Sequence, residues 1–265
     1  MPHVTLNGID LYYERMGEGP TLLYFNGSGT TLANSRLSLD AYTKRFDVVV
    51  HDQRGLGETE APEPPYTMAE YAADGAALLD HLGLDRVRVV GISFGGMVAQ
   101  EFAVTHPERV ERLALLCTSP GGAGRASYPL HELEHLPVEE RRAKGMSIVD
   151  TRWDDAWLAS HDVDRMIVDM LVKATPPAPG SDRERGERGQ LEARSHHDVY
   201  DRLPRITCPT LVASGRYDGI APVANGEAIA SQIPGAEMRT YDGGHVFMFQ
   251  DPTAMPEVLD FLAGD

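Results

Sequence analysis

The segment Gly91-Ile92-Ser93-Phe94-Gly95 constrains this chain more than any other part of its sequence. A serine flanked in this way fits a tight turn between a strand and a helix, where its hydroxyl projects out of the sheet. The glycines are needed because a Cβ on either side would clash with the neighbouring strand or helix. An apolar run, 86–90, precedes the segment, and a helical pattern follows from Phe94 to about Thr105. This is the context that the motif requires, and we predict that Ser93 is a nucleophile.

Short apolar runs that end in glycine-rich turns alternate with helical patterns over the first 118 residues. Asn7-Gly8 indicates a type I′ hairpin. Thr67 and Glu70 form a capping box for a helix that ends near Gly83. Alternation of this kind implies an α/β fold, in which a mostly parallel central sheet is flanked by helices. The predicted strands are 4–6, 11–15, 21–25, 46–50, 86–90 and 110–117.

The pattern changes between residues 120 and 205, which contain no strong strand signal. Helices are predicted at 131–144, 147–160 and 164–174. The proline-rich stretch 176–180 and the charged stretch 181–189 are predicted to form a mobile, solvated loop. Further on, strands are predicted at 210–214 and 236–241, and helices at 222–232 and 252–262. We therefore predict a core domain, 1–119 with 206–265, and a helical cap subdomain, 120–205.

A serine hydroxyl is a weak nucleophile at neutral pH and needs a general base that an acid orients. His245 follows the last predicted strand, at the carboxyl end of the sheet, where open α/β sheets place their sites. Asp218 lies in a turn after the strand 210–214, at the same end. Asp242 is closer to His245 in sequence, but neighbouring loop positions seldom let a carboxylate meet an imidazole edge-on. We therefore predict Asp218 as the acid and His245 as the base.

Two backbone N–H groups are expected to stabilise the charge that develops on a carbonyl oxygen under attack. One belongs to Phe94, directly after the nucleophile and at the positive end of a helix. The other belongs to the turn after the strand 21–25, where Ser28 is the first choice and Gly27 the reserve. Asn26 and Gly27 are also expected to contact the substrate.

The chain carries 40 acidic residues against 24 lysines and arginines, which gives a net charge of -16. Nucleic acids and anionic membranes are not expected as partners, because both bind clustered basic side chains. No apolar run approaches the roughly 18 residues of a membrane span. The N-terminal sequence does not resemble a signal peptide, so a cytoplasmic location is expected. Cys117 and Cys208 form neither a disulfide framework nor a zinc-type spacing, and no metal or cofactor is expected.

The chain resembles the α/β-hydrolase superfamily over nearly its whole length. It is most similar to a small bacterial branch that includes 3-oxoadipate enol-lactonases, haloperoxidase-like esterases and C–C hydrolases of aromatic ring cleavage. A serine at position 93 argues against relatives that use an aspartate there. The superfamily usually has His-Gly after the third strand, where this chain has Asn26-Gly27. The resemblance rests on the segments 52–57, 78–83, 90–97 and 106–110, on Gly215 with Asp218, and on Gly244-His245.

The resemblance implies hydrolysis of a carboxylic ester or lactone of a small molecule through an acyl-enzyme. One alternative is C–C bond hydrolysis of ring-cleavage type, because the segment 26–29 resembles the oxyanion loop of that branch. The other is a non-catalytic ligand sensor on the same fold. The sequence leaves a homodimer open. His196-His197 are expected at the surface or in a hinge. Candidate substrate contacts, which could equally pack in the protein core, are Trp153, Trp157, Phe247 and Met248.

Overall fold

Eight strands form one continuous sheet in a computed structural model that describes residues 2–173 and 175–264, apart from the Glu134 side chain. The strands are β1 His3–Leu6, β2 Ile9–Met16, β3 Thr21–Phe25, β4 Asp47–His51, β5 Val87–Ile92, β6 Val110–Leu116, β7 Thr210–Gly215 and β8 Glu237–Tyr241. Their order in the sheet is β1-β2-β4-β3-β5-β6-β7-β8. β2 pairs antiparallel with β1 and β4, and all later neighbours are parallel. The predicted fold class is confirmed.

Ten α-helices accompany the sheet within the described part of the chain. They are α1 Arg36–Thr43, α2 Met68–His81, α3 Phe94–Thr105, α4 Val138–Val149, α5 Asp155–Ser160, α6 Asp162–Val172, α7 Asp182–Ser195, α8 Val223–Gln232, α9 Phe247–Gln250 and α10 Ala254–Ala263. The predicted capping box is present, since the Thr67 hydroxyl accepts from the Glu70 N–H and the Glu70 carboxylate accepts from the Thr67 N–H. The sequence analysis did not predict α1. Among the described residues, no helix has the length and apolar character needed to cross a membrane.

Both faces of the sheet are buried, which explains why its strands read as continuous apolar runs. Leu23 and Phe25 point to one face, where they pack with residues of α2, α3 and α8. Leu22 and Tyr24 point to the other, where they pack with residues of α1 and α10. The sheet is thus a fixed platform whose strand ends carry the loops between β3 and α1, β5 and α3, β7 and α8, and after β8.

The segment between β6 and β7 contains α4 to α7. Helical patterns predicted helices in the region of α4 to α6, but two of the three predicted helices have the wrong bounds. The helix predicted at 147–160 is interrupted, because α4 ends at Val149 and the Asp154 carboxylate caps α5 by accepting from the Trp157 N–H at 2.7 Å. The helix predicted at 131–144 is broken at Pro137, which separates a 3₁₀ turn, Leu130–His135, from α4. The helix predicted at 164–174 is α6, and Ala174 lies outside the described residues.

The mobile loop predicted at 181–189 is also wrong, because this charged stretch forms most of α7. The Ser181 hydroxyl accepts from the Glu184 N–H at 3.2 Å, and Arg183 pairs with Glu187 one turn later at 2.7 Å. These contacts stabilise a helix start that the glycines disfavour. Gly186 has its own reason to be glycine, since a Cβ there would lie 1.7 Å from the carbonyl oxygen of Gly55.

Candidate active site

Ser93 occupies the turn between β5 and α3 in a backbone conformation that non-glycine residues rarely adopt. Its φ is 55° and its ψ is -116°, and strain of this kind is held only where the surroundings fix it. A Cβ on Gly91 would lie 2.2 Å from the carbonyl oxygen of Gly95, and one on Gly95 would lie 2.1 Å from that of Phe25. The turn therefore needs glycine on both sides of the serine, as the motif predicts.

The structure brings Ser93, His245 and Asp218 together from three separate loops. The Nε2 atom of His245 lies 2.8 Å from Ser93 Oγ, and its Nδ1 atom lies 2.7 Å from Asp218 Oδ2. The tautomer consistent with this geometry carries the proton on Nδ1, donates it to the carboxylate and accepts from the serine hydroxyl. Asp242, the alternative acid in the sequence, is exposed and accepts instead from Arg152 at 3.1 Å.

The carboxylate of Asp218 is buried, with 4% of the residue exposed. Its second oxygen, Oδ1, accepts the backbone N–H groups of Ile220 at 2.7 Å and Ala221 at 2.8 Å. These bonds fix the direction of the other oxygen, Oδ2, which faces His245. The carboxyl group is therefore held in a fixed position behind the imidazole.

The segment between β6 and β7 supports the loops of both Asp218 and His245. The His245 N–H donates to the Val149 carbonyl at 2.6 Å, and the Gly219 N–H donates to the Ile148 carbonyl at 2.9 Å. Residues 148 and 149 are the last two residues of α4. The end of this helix is therefore hydrogen-bonded both to His245 and to Gly219, the residue after Asp218.

Gln250 adds a side-chain link to the same support. Its Oε1 accepts the Gly244 N–H at 2.8 Å, and its Nε2 donates to Asp150 at 2.9 Å and to Asp164 at 2.8 Å. Sequence reasoning missed Gln250 and Asp150. No local pattern could have found them, because the residues they join lie about one hundred positions apart.

The turn after β3 borders the serine. A Cβ built on Gly27 would lie 3.7 Å from Ser93 Cβ. The carbonyl of Asn26 accepts from the buried Gln53 side chain at 2.7 Å, and this bond holds the turn. The N–H of Gly29 is already bonded to Gln190 Oε1 at 2.8 Å. Phe94, the other predicted donor, is the first residue of α3, so its N–H has no acceptor within the helix.

A cavity of about 290 Å³ opens beside Ser93 and His245. Its lining combines polar side chains with aliphatic and aromatic ones. Of the predicted substrate contacts, Asn26, Gly27 and Met248 line it, and so does Ser28. Its remaining lining residues are Tyr24, Thr30, Asn34, Ser35, Ser38, Ile92, Leu130, Ile220, Val246, Phe249 and Met255.

Three predicted substrate contacts do not line this cavity. Phe247 is fully buried, with its ring stacked on that of Tyr241 at 5.2 Å between centroids. Trp157 stacks on His161 and lines a separate surface groove. Trp153 is half-buried and is not part of the cavity lining. The sequence could not separate these outcomes, because it indicates that an apolar side chain is buried without showing which neighbour covers it.

His196 and His197 were expected at the surface or in a hinge, and the surface position is wrong for His197, which is buried beside the exposed His196. Burial lowers the pKa of His197 to about 4 and that of His51 to about 4. Both imidazoles are therefore neutral at pH 7. Within residues 2–173 and 175–264 there is no group of three or more His, Cys, Asp or Glu side chains arranged to hold a metal ion.

Comparison with known proteins agrees with this fold. A family model described as alpha/beta hydrolase fold matches residues 20–146. The 3-oxoadipate enol-lactonase 2 of Acinetobacter baylyi is 27% identical over 264 residues, covering 97% of this chain and 94% of its own. The solved enol-lactonase from Burkholderia xenovorans LB400 is 28% identical, with a TM-score of 0.80 over 98% of this chain and 99% of its own. A solved hydrolase from Pseudomonas aeruginosa PA01 is 31% identical, with a TM-score of 0.79 over 98% of this chain and 97% of its own.

The fold, the serine turn and these relatives define the class: the chain belongs to the α/β-hydrolase family. Within that family it resembles the branch of small bacterial hydrolases that includes enol-lactonases.

Proposed function

We propose that this chain is a serine hydrolase that cleaves a carboxylic ester or lactone of a small molecule. The observation that carries the proposal is the continuous hydrogen-bonded line from Ser93 Oγ through His245 to Asp218, with distances of 2.8 Å and 2.7 Å, at the wall of a cavity. Relatives named enol-lactonases, which match nearly the full length of the chain, support a lactone or ester as the substrate class.

The proposed reaction begins when Ser93 Oγ attacks the carbonyl carbon and His245 Nε2 takes the serine proton. The imidazolium that forms is stabilised by the Asp218 carboxylate, whose other oxygen is held in place by two backbone N–H groups. His245 then gives the proton to the leaving alkoxide oxygen. Water, activated by the same imidazole, hydrolyses the acyl-enzyme and frees the serine. For a lactone, the alcohol and the acid are parts of one product.

The negative charge of each tetrahedral intermediate needs donors that are already in place. Phe94 supplies the N–H at the start of α3, and the turn after β3 supplies the second, from Ser28 with Gly27 as the reserve. Each donor of this kind typically contributes about 10²- to 10³-fold in rate. The segment 120–205 acts in this proposal as a cap, since its Leu130 lines the cavity beside the serine.

The experiment is a turnover assay on a panel of p-nitrophenyl esters and simple lactones, with the Ser93→Ala variant as control. We expect hydrolysis by the wild-type chain and a loss of at least about 10⁴-fold in the variant. A parallel assay on a vinylogous diketone of ring-cleavage type tests the C–C alternative. Cleavage of the diketone alone would replace the ester proposal with that alternative, and no turnover of any compound would favour a ligand sensor.

A further inference from the structure

Arg194, on α7, is a buried guanidinium with no carboxylate partner among the described residues. Only 7% of the residue is exposed. Among the described residues, its guanidinium makes one hydrogen bond, from Nη2 to the Ser127 hydroxyl at 2.8 Å, and its Nε atom is buried without an acceptor there. Burial lowers the pKa of Arg194 to about 10, so the group is still charged at neutral pH. An unpaired buried charge is strongly destabilising, and its retention calls for an anion.

This guanidinium lies on the wall of a cavity of about 70 Å³, a volume suited to a group the size of a carboxylate. Ser127 lines the same cavity, and so does Ser119, whose hydroxyl is buried without a partner. The cavity therefore presents a charged donor and two hydroxyls to whatever occupies it. Such a set of donors matches the hydrogen-bonding needs of a carboxylate.

The small cavity is next to the candidate active site. The segment 128–131 borders both cavities, with Leu130 in the larger lining and its neighbours in the smaller one. One helical turn before Arg194, Gln190 bonds to the N–H of Gly29 in the turn beside the serine. The Asp218 carboxylate is near enough to favour the charged form of Arg194, but among the described residues its ion pair is with His245 and not with Arg194.

We propose that Arg194 and the Ser127 hydroxyl bind a carboxylate group, and that the ester or lactone cleaved at Ser93 carries this carboxylate. The second half of the proposal rests on the function proposed above. The first half does not, because a free carboxylate could also fill the cavity. The binding site is thus defined by its chemistry, and the source of the carboxylate is decided by experiment.

The substrate test uses two pairs of compounds that differ only in charge. One pair is 5-oxotetrahydrofuran-2-carboxylate and its carboxamide, and the other is the p-nitrophenyl esters of adipic acid and of adipamic acid. We expect the wild-type chain to favour the carboxylate of a pair by about 10-fold or more in kcat/KM. In Arg194→Met this ratio should fall by at least about 10-fold. In the control Arg188→Met, which removes an exposed charge from the same helix, the ratio should not change.

The binding test measures Tm in sodium formate against sodium gluconate of equal ionic strength, since gluconate is too large for the cavity. Formate at about 100 mM should raise the wild-type Tm by about 2 °C or more and should leave the Tm of Arg194→Met unchanged. In gluconate, Arg194→Met should be at least as stable as the wild type. Should that variant fail to fold, Ser127→Ala carries both tests, with smaller effects in the same direction.

The outcomes separate the two halves of the proposal. If formate raises the Tm but the carboxylate compounds are not turned over faster than the carboxamides, the carboxylate site is retained. The claim that the substrate supplies this carboxylate is then overturned. Hydrolysis with neither a charge preference nor a formate effect would overturn the site altogether. Absence of hydrolysis of all four compounds would overturn the proposed function, while the formate measurement would still decide whether Arg194 binds a carboxylate.

Discussion

At the scale of single residues, a substitution of Asp218 tests the role of the hydrogen bonds that join Ser93, His245 and Asp218. In Asp218→Asn the bonds from Ile220 and Ala221 can persist, so the fold should be kept. The side-chain amide no longer selects the imidazole tautomer that accepts from the serine. We expect kcat to fall by about 10⁴-fold, with little change in KM, in steady-state ester hydrolysis. A fall of less than about 10-fold would assign the acid to another group.

Buried histidines determine how stability depends on pH. Burial lowers the folded-state pKa of His197 to about 4, below its ordinary value of 6.5. As the pH falls, His197 therefore takes up a proton in the unfolded chain at a higher pH than in the folded chain. Its contribution to stability is complete above pH 6.5 and is lost as the pH falls towards 4. The loss amounts to about 3 kcal/mol in the free energy of unfolding. Denaturant titrations of His197→Gln should show a flatter pH dependence, whereas those of the exposed neighbour variant His196→Gln should match the wild type.

At the scale of elements, the close approach of α3 to β3 depends on Gly95. A Cβ there would meet the backbone oxygens of Phe25 and Asn26 at 2.1 Å and 2.5 Å. Gly95→Ala should therefore lower the free energy of unfolding by about 3 kcal/mol in denaturant titrations. Gly145, within α4, has open space around it, and the matched variant Gly145→Ala should raise stability by about 0.5–1 kcal/mol. Equal effects of the two changes would contradict this account of the turn.

The loop of His245 depends on Gln250 for one of its links to the inserted helices. Gln250→Ala leaves the N–H of Gly244 and the carboxylates of Asp150 and Asp164 without this partner. We expect kcat to fall by about 10-fold, because the imidazole of His245 is less well oriented. KM should be nearly unchanged, because no contact with the substrate is removed. Gln232→Ala, which removes a bond to the Tyr200 hydroxyl at the end of α8, is the control and should leave kcat unchanged.

Helices, strands and turns could be predicted where the contacts that stabilise them join residues close together in the sequence. The turn at Ser93, the capping box at Thr67 and the buried strands follow from neighbours within a few residues. The chain could not reveal α7 in the same way, because Gly186 reads as a helix breaker until Gly55 is placed against it. The same limit hid the bond between Gln250 and Asp150, whose partners meet only in the folded chain.

At the scale of the whole molecule, the site is assembled from a rigid sheet and an inserted segment. The sheet positions Ser93, Asp218 and His245 in the loops that follow β5, β7 and β8. Their meeting could be predicted because each residue follows a predicted strand of one parallel sheet. The inserted segment bonds to two of the three loops through residues 148 and 149. Its helix positions were predicted only in part, and which of its side chains face the cavity could not be predicted at all. The division into core and cap domains therefore stays a prediction, and a deletion variant that lacks 120–205 is not expected to keep an aligned His245.

The central claim is that Ser93 is the nucleophile, and covalent labelling tests it most directly. The wild-type chain should react with a fluorophosphonate probe to give one adduct by intact mass, located on the Ser93 peptide after digestion. His245→Ala should slow this labelling by at least about 10²-fold, and Ser93→Ala should abolish it. Labelling of a different serine, or ester turnover that persists in Ser93→Ala, would contradict the claim.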